Sequence, residues 1–202
     1  MSSSKTQIFN MPLANVGATE FLTSDTETNH EDNLCNLFYE QSRKFVLRDF
    51  PWRFAKRRVA LALLAGTPPT CWGFQYSAPG DSLKIRALAT PGNRTPLVEQ
   101  KIPFELASGG AEAVIYTDLE EAECIYTQDI EDLTRWPVDV RSALIYHLAA
   151  QISLPLRGKE GLQIASSMQS AYAAVVEQAA AANLNEGFDQ TPECSFLQAR
   201  NG

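Results

Sequence analysis

Between Tyr39 and Leu61 the chain reads Tyr39-Glu40-Gln41-Ser42-Arg43-Lys44-Phe45-Val46-Leu47-Arg48-Asp49-Phe50-Pro51-Trp52-Arg53-Phe54-Ala55-Lys56-Arg57-Arg58-Val59-Ala60-Leu61. On its upstream side Leu34, Phe38, Gln41 and Phe45 recur at helical spacing, with Cys35 and Leu37 flanking the stripe. Pro51 predicts the end of that helix, because the residue before a proline is pushed out of the α region. From Val59 the period becomes two, with Val59, Leu61 and Leu63 on one side and Arg58, Ala60 and Ala62 on the other. A helical body therefore gives way to a β-rich part within a few residues, and that switch decides the fold class.

Upstream, Ile8 to Ala18 reads as a short helix with Ile8, Met11, Asn15 and Ala18 on one face and Leu13 and Val16 beside it. Pro12 predicts a kink there, since it deletes a helical hydrogen bond. Residues 23–29 are polar and read as a loop, after which Thr28 and Glu31 have the capping-box spacing. Downstream, Gly66-Thr67-Pro68-Pro69 breaks the first strand, and Trp72 to Tyr76 reads as extended. A turn at Ala78-Pro79-Gly80-Asp81 leads into alternating Leu83, Ile85, Ala87 and Ala89. Further strands are predicted over Ile102 to Leu106 and Ala113 to Thr117, around a Ser108-Gly109-Gly110 turn, and over Cys124 to Gln128. Trp136-Pro137 suits a helix start. Val140, Leu144, Leu148 and Ile152 then recur every fourth residue until Pro155 and Gly158, which are expected to stop that helix. A last helix, from about Lys159 to Asn183, carries Leu162, Ala165, Gln169, Tyr172, Val176 and Ala179 on one stripe.

The expected fold class is α+β, mainly α. A helical bundle body (about 5–50 and 137–185) is built from both chain ends, because each amphipathic stripe needs a partner to bury it. A β-rich insertion (about 55–130) sits between the helix pairs, and an extended C-terminal tail (about 186–202) follows. At 202 residues one domain is the simplest organisation, and a chain of this size buries roughly 70% of its unfolded surface without a metal or disulfide.

The four cysteines, Cys35, Cys71, Cys124 and Cys194, form no CxxC pair, and the two histidines are His30 and His147. No zinc site or redox dithiol is expected from such spacing, and free thiols in a reducing compartment are. Met1 to Lys5 is polar with no secretory core after it, and no run reaches the roughly 20 apolar residues of a membrane span. A soluble protein without a membrane partner is the expectation. The net charge of −7 argues against general nucleic-acid binding, yet suits a surface past which DNA slides, since phosphate contacts carry nonspecific affinity.

Dinucleotide, nucleophile-elbow and phosphate-loop patterns are all missing from the sequence. His147 borders an apolar stripe and reads as a structural histidine, and His30 as a solvated one. The acidic run Asp118, Glu120, Glu121, Glu123, Asp129, Glu131 and Asp132 could pair carboxylates for glycan or peptidoglycan hydrolysis, but reads first as a solvated face or a subunit contact. Three readings stay open for Arg53, Lys56, Arg57 and Arg58, interleaved with Trp52 and Phe54: pairing with the acidic run of a neighbouring subunit, an ordinary exposed face on aromatic anchors, or DNA contact. The tail retains Phe188, Phe196, Leu197 and Arg200 without periodicity, which suits either packing on its own domain or folding on a partner. No cofactor, metal or catalytic residue is assigned. A small hydrolase and a bacterial protein-binding module are the alternative functions.

In order along nearly the whole chain stand Leu13-Ala14-Asn15-Val16-Gly17-Ala18, then Tyr39, Arg43 and Val46-Leu47 before Pro51-Trp52-Arg53-Phe54-Ala55. They are followed by Ala78-Pro79-Gly80-Asp81-Ser82-Leu83-Lys84-Ile85, Trp136-Pro137 before Ala143-Leu144 to Leu148-Ala149, and Phe196-Leu197-Gln198-Ala199-Arg200. In that order and spacing the chain resembles the head-to-tail connector (adaptor, or tail tubular protein A) family of tailed bacteriophages. The resemblance implies a helical body with a β insertion, assembled as a homo-oligomeric, dodecameric ring in the neck of the virion. One face would seat on the portal protein and the other receive the tail tube or nozzle protein, with double-stranded DNA passing through. It implies no catalysis. Subunit contacts would fall at Arg53, Lys56, Arg57, Arg58, Glu121 and Glu123, and portal docking at Phe196, Leu197 and Arg200.

Overall fold

The computed structural model describes residues 5–23, 29–92, 102–108 and 113–185. The chain runs α1 (Lys5–Asn15), α2 (His30–Asp49), β1 (Lys56–Ala60), β2 (Phe74–Ser77), β3 (Ser82–Ala89), β4 (Glu105–Ser108), β5 (Ala113–Thr117), β6 (Glu123–Gln128), α3 (Val138–Arg157) and α4 (Gly161–Asn185). Of the described residues 52% are helical and 20% in strands, so the fold is α+β and mainly α. The helices come from both ends of the chain and share one apolar core, in which Ile8 and Leu13 of α1 join Val46 and Leu47 of α2 and Leu144, Leu148 and Ile152 of α3. Tyr172 and Ala179 close it from α4.

The start of α2 is capped by Asn29, whose side chain accepts from the Asp32 N–H at 2.8 Å. This is the spacing expected of Thr28 and Glu31, one residue later; Thr28 lies outside the described residues. Glu31 and Asp32 favour the positive end of the helix dipole. At the other end Phe50 takes φ −120° and ψ 150°, the extended backbone that Pro51 demands.

The buried face of α2 is rotated from the predicted stripe. Cys35, Ser42, Arg43, Val46 and Leu47 face inward, while Leu37 is 69% and Phe45 47% exposed. Apolar spacing could not show this, because the centre of the buried face is an arginine that carries its counter-charge inside. The face of α1 also shifts, to Ile8, Phe9, Leu13 and Val16, and leaves Met11 exposed. Pro12 is accommodated within that helix.

Alternation fails in the first strand as well. All of Lys56–Ala60 is exposed, because β1 is the edge of a sheet ordered β1-β6-β3. Leu61 to Leu64 instead carries the chain across to the second sheet, ordered β2-β5-β4. Leu61 N donates to Ala122 O at 2.9 Å and Leu64 N to Gln75 O at 2.9 Å. Both sheets are antiparallel, with Val59 opposite Cys124 and Tyr76 opposite Ile115. They meet across a smaller cluster of Tyr76, Leu88, Ile115, Ala122, Cys124 and Tyr126. In β3 register shifts at Ser82/Lys84 and Ile85/Ala87 change the parity of the strand, so Leu83 packs on the helical core and Ile85 on the smaller cluster. Ile102 to Phe104 precede β4 rather than belonging to it, since Pro103 has no N–H to give a ladder.

The predicted stripe of α3 is all buried: Val140, Leu144, Leu148 and Ile152 are at most 1% exposed. Pro155 does not stop the helix; Gly158, at φ 56°, does, its N–H bonding Leu154 O. Gly161 then turns the chain into α4 against the backbone of Ser153 and Leu154, where a Cβ has no room. The tail from residue 186 on, with the Gly109-Gly110 turn, lies outside the described residues.

Candidate functional site

The basic segment was the leading sequence candidate, and its aromatic residues are anchors. Trp52 is 1% exposed; its indole N–H donates to the Val46 carbonyl at 2.8 Å, and its ring packs on Phe50 at 4.8 Å between centroids. Phe54 packs on Trp136 at 5.7 Å. These two rings hold the segment to the helical body, which leaves Lys56, Arg57 and Arg58 on the surface. The Arg53 N–H donates to Asn183 Oδ1 near the end of α4 at 2.8 Å. Lys56 and Arg57 stand on the exposed edge strand, where Arg57 Nε donates to Gln128 Oε1 at 2.9 Å.

One expected contact across subunits is found inside the chain. Arg58 forms an ion pair with Glu123 and donates to the Thr90 carbonyl at 3.1 Å. The ladder explains it: Ala60 lies opposite Glu123, and Arg58, two residues along, shares the face of Ala60, so the two charges are diagonal neighbours. The rest of the acidic run is divided among separate tasks. Asp118 accepts from Gly73 N at 2.9 Å, Asp129 pairs with Arg43, and Asp132 accepts from Thr134 N at 2.9 Å. The Thr134 hydrogen bonds hold the Asp132 carboxyl below its ordinary value. Glu120, Glu121 and Glu131 remain exposed.

Sequence reading missed two arginines that join the helical body to the β section. Arg43, 0% exposed, donates to Asp129, to Ile130 O at 3.0 Å and to Glu40 at 2.8 Å. Arg86 Nη2 donates to the carbonyls of Arg48 at 2.8 Å and Phe50 at 3.0 Å, while its Nε reaches Thr127 Oγ1 at 2.9 Å. Burial lowers the Arg86 pKa. Arg43 stands in the pattern that carries the family resemblance but was given no role there, and Arg86 belongs to no motif. For Arg86 the only hint is the carbonyls at the C-terminal end of α2, which favour a cation.

Beside Arg86 lies a cleft of about 560 Å³ between the helical body and the sheets. Its apolar lining includes Trp52, Leu88, Phe104 and Ile125, and Arg53, Lys56 and Arg86 line it too. Asn183 and Leu184 of α4 form part of the wall.

His147 is 5% exposed, stacked on Phe45 at 4.5 Å and edge-on to Tyr172 at 5.4 Å. Burial lowers its pKa, partly countered by Asp49, which itself accepts from the Tyr172 hydroxyl. Its Nδ1 has no hydrogen-bond partner among the described residues. Cys35 and Cys124 are buried and Cys71 exposed. Burial, then the charges of Asp32 and Glu31, push the Cys35 thiol up to about 12; burial alone does the same for Cys124. No group of residues able to hold a metal ion occurs among the described residues, and none of their helices is long and apolar enough to cross a membrane. Phe196, Leu197 and Arg200 lie outside the described residues. No protein-family model and no curated protein matches the chain.

Proposed function

We propose that this chain is a structural virion protein: a ring-forming adaptor in the neck of a tailed phage, seated on the portal and receiving the tail tube or nozzle. The observation that carries the reading is the construction of one helical body from both chain ends around a β section, the arrangement that the family resemblance implies. Large apolar side chains stay exposed on that body, among them Leu37 at 69%, Val138 at 70% and Leu162 at 61%. Exposed leucines and valines on several helices suit packing against neighbouring copies in a closed ring.

In this reading Lys56 and Arg57 on the edge strand face the exposed Glu120 and Glu121 of the next subunit. Arg58 and Glu123 stiffen the edge from within the chain. The end of the tail, Phe196, Leu197 and Arg200, docks on the portal, and the acidic surface lets double-stranded DNA pass with little phosphate contact.

Light scattering on the purified protein, alone and mixed with portal rings, tests this. A closed oligomer of many subunits, or its assembly on the portal, is the expected result. A protein that stays monomeric with portal rings present, and is missing from the necks of infectious particles, overturns the proposal.

A further inference from the structure

We infer that the cleft between the helical body and the sheets is the seat of the first part of this chain's own tail, with the Phe188 ring filling it. This stands apart from the adaptor reading, which concerns residues farther along the tail.

Three observations point to that occupant. The first is position. Asn183 and Leu184 of α4 form part of the cleft wall, and the Arg53 N–H to Asn183 Oδ1 bond, at 2.8 Å, pins the helix end beside it. The last described residues of α4 therefore lie at the cleft. Phe188 follows Leu184 by four residues, a span of at most about 14 Å when extended, and Gly187 just before it can turn in directions closed to other residues.

The second is chemistry. Trp52, Leu88, Phe104 and Ile125 offer an apolar cavity of about 560 Å³, ample for an aromatic side chain. Phe188 is the first large apolar residue after Leu184, and Leu184 itself, 62% exposed, would be covered by the returning segment.

The third is charge. Among the described residues the cleft lining contains Arg53, Lys56 and Arg86 and no carboxylate, while Glu186 and Asp189 bracket Phe188. Lys56 makes no ion pair among the described residues, which leaves its ammonium to meet one of these acids. A short tether also gives the segment an effective concentration on the order of millimolar, so a neighbour's tail or a foreign peptide competes poorly.

Zero-length carbodiimide coupling of the full chain, prepared as an equal mixture of heavy-isotope and ordinary copies, tests the inference. Peptide mass spectrometry is expected to find Lys56 joined to Asp189 or Glu186 in all-heavy and all-light pairs with no mixed heavy–light pairs, at least tenfold reduced in Phe188→Ser. The substitution alters no residue of either described core, and an unchanged far-UV spectrum checks that the variant folds. Heavy–light pairs making up about half of the links, the 1:2:1 pattern of coupling between copies, would assign the cleft to a neighbouring copy and overturn the inference. So would the absence of any Lys56 link to the tail, or a link indifferent to Phe188→Ser.

Discussion

Asp129→Ala should cost more stability than Arg43→Met, although arginine is the buried member of the pair. Removing the Asp129 carboxylate leaves a guanidinium that is 0% exposed with only Glu40 at 2.8 Å and the Ile130 carbonyl at 3.0 Å. Uncompensated buried charges cost 3–5 kcal/mol; because Glu40 remains, the lower end applies, about 3 kcal/mol. The accompanying Lys44 contact at 3.8 Å is half-exposed and adds little. Arg43→Met removes the charge instead and keeps most of the volume. Asp129, 21% exposed, can then turn to water, and the Ile130 carbonyl keeps the Trp136 indole N–H at 3.2 Å. That variant should lose less than about 2 kcal/mol, the scale of one imperfectly replaced hydrogen bond. At 2–4 °C per kcal/mol for a chain of this size, Tm should fall by roughly 6–12 °C for Asp129→Ala and by less than about 8 °C for Arg43→Met. Urea unfolding followed by tryptophan fluorescence, with matched m-values, measures both. Equal losses, or a larger one in Arg43→Met, would refute the argument that counter-charge decides this site.

The lowered pKa of His147 means that folding favours its neutral form. Its share of the stability is complete above the ordinary value of 6.5 and declines as pH falls below it; thermal melts from pH 8 to pH 5 should show a smaller decline in His147→Gln. Gly161→Ala forces a methyl against the Ser153 and Leu154 backbone and should cost about 1–3 kcal/mol by chemical denaturation, as overpacking does; an unchanged midpoint would mean that the α3–α4 turn opens freely. With a thiol reagent at neutral pH, Cys71 should react while Cys35 and Cys124 wait for unfolding, since burial suppresses both access and thiolate in those two. Cysteine-by-cysteine mass mapping reads this directly.

What the sequence made visible follows from which forces leave a periodic trace. The stripe Val140, Leu144, Leu148 and Ile152 is entirely apolar and faces a single core, so its spacing found the helix and its buried face. Pro51 and Gly158 act through local backbone geometry and marked real helix ends, whereas Pro155 lies in the last turn and did not. The rotation of α2 stayed hidden because Arg43 is inside only by virtue of Asp129, far along the chain. Leu83, Ile85, Ala87 and Ala89 looked like one face until the two register shifts of β3 changed sides midway. The basic cluster was recognisable as surface, yet nothing local could say that Arg58 would find Glu123 across a ladder. Arg86 and the cleft beside it arise from three distant segments meeting, and so have no signature.

A core shared by α1, α2 and α3 sets a schedule for synthesis. Roughly 90 residues of β-rich chain separate Asp49 from Val138, so at 5–20 residues per second the two amino-terminal helices wait on the order of 5–20 s for their partners. Meanwhile Ile8, Phe9, Val46 and Leu47 have nothing to cover them but each other. The newborn chain is thus sticky first and covered only once α3 has been made, which makes the ribosome's pace, and whatever holds such chains in the cell, part of how this molecule reaches its final form.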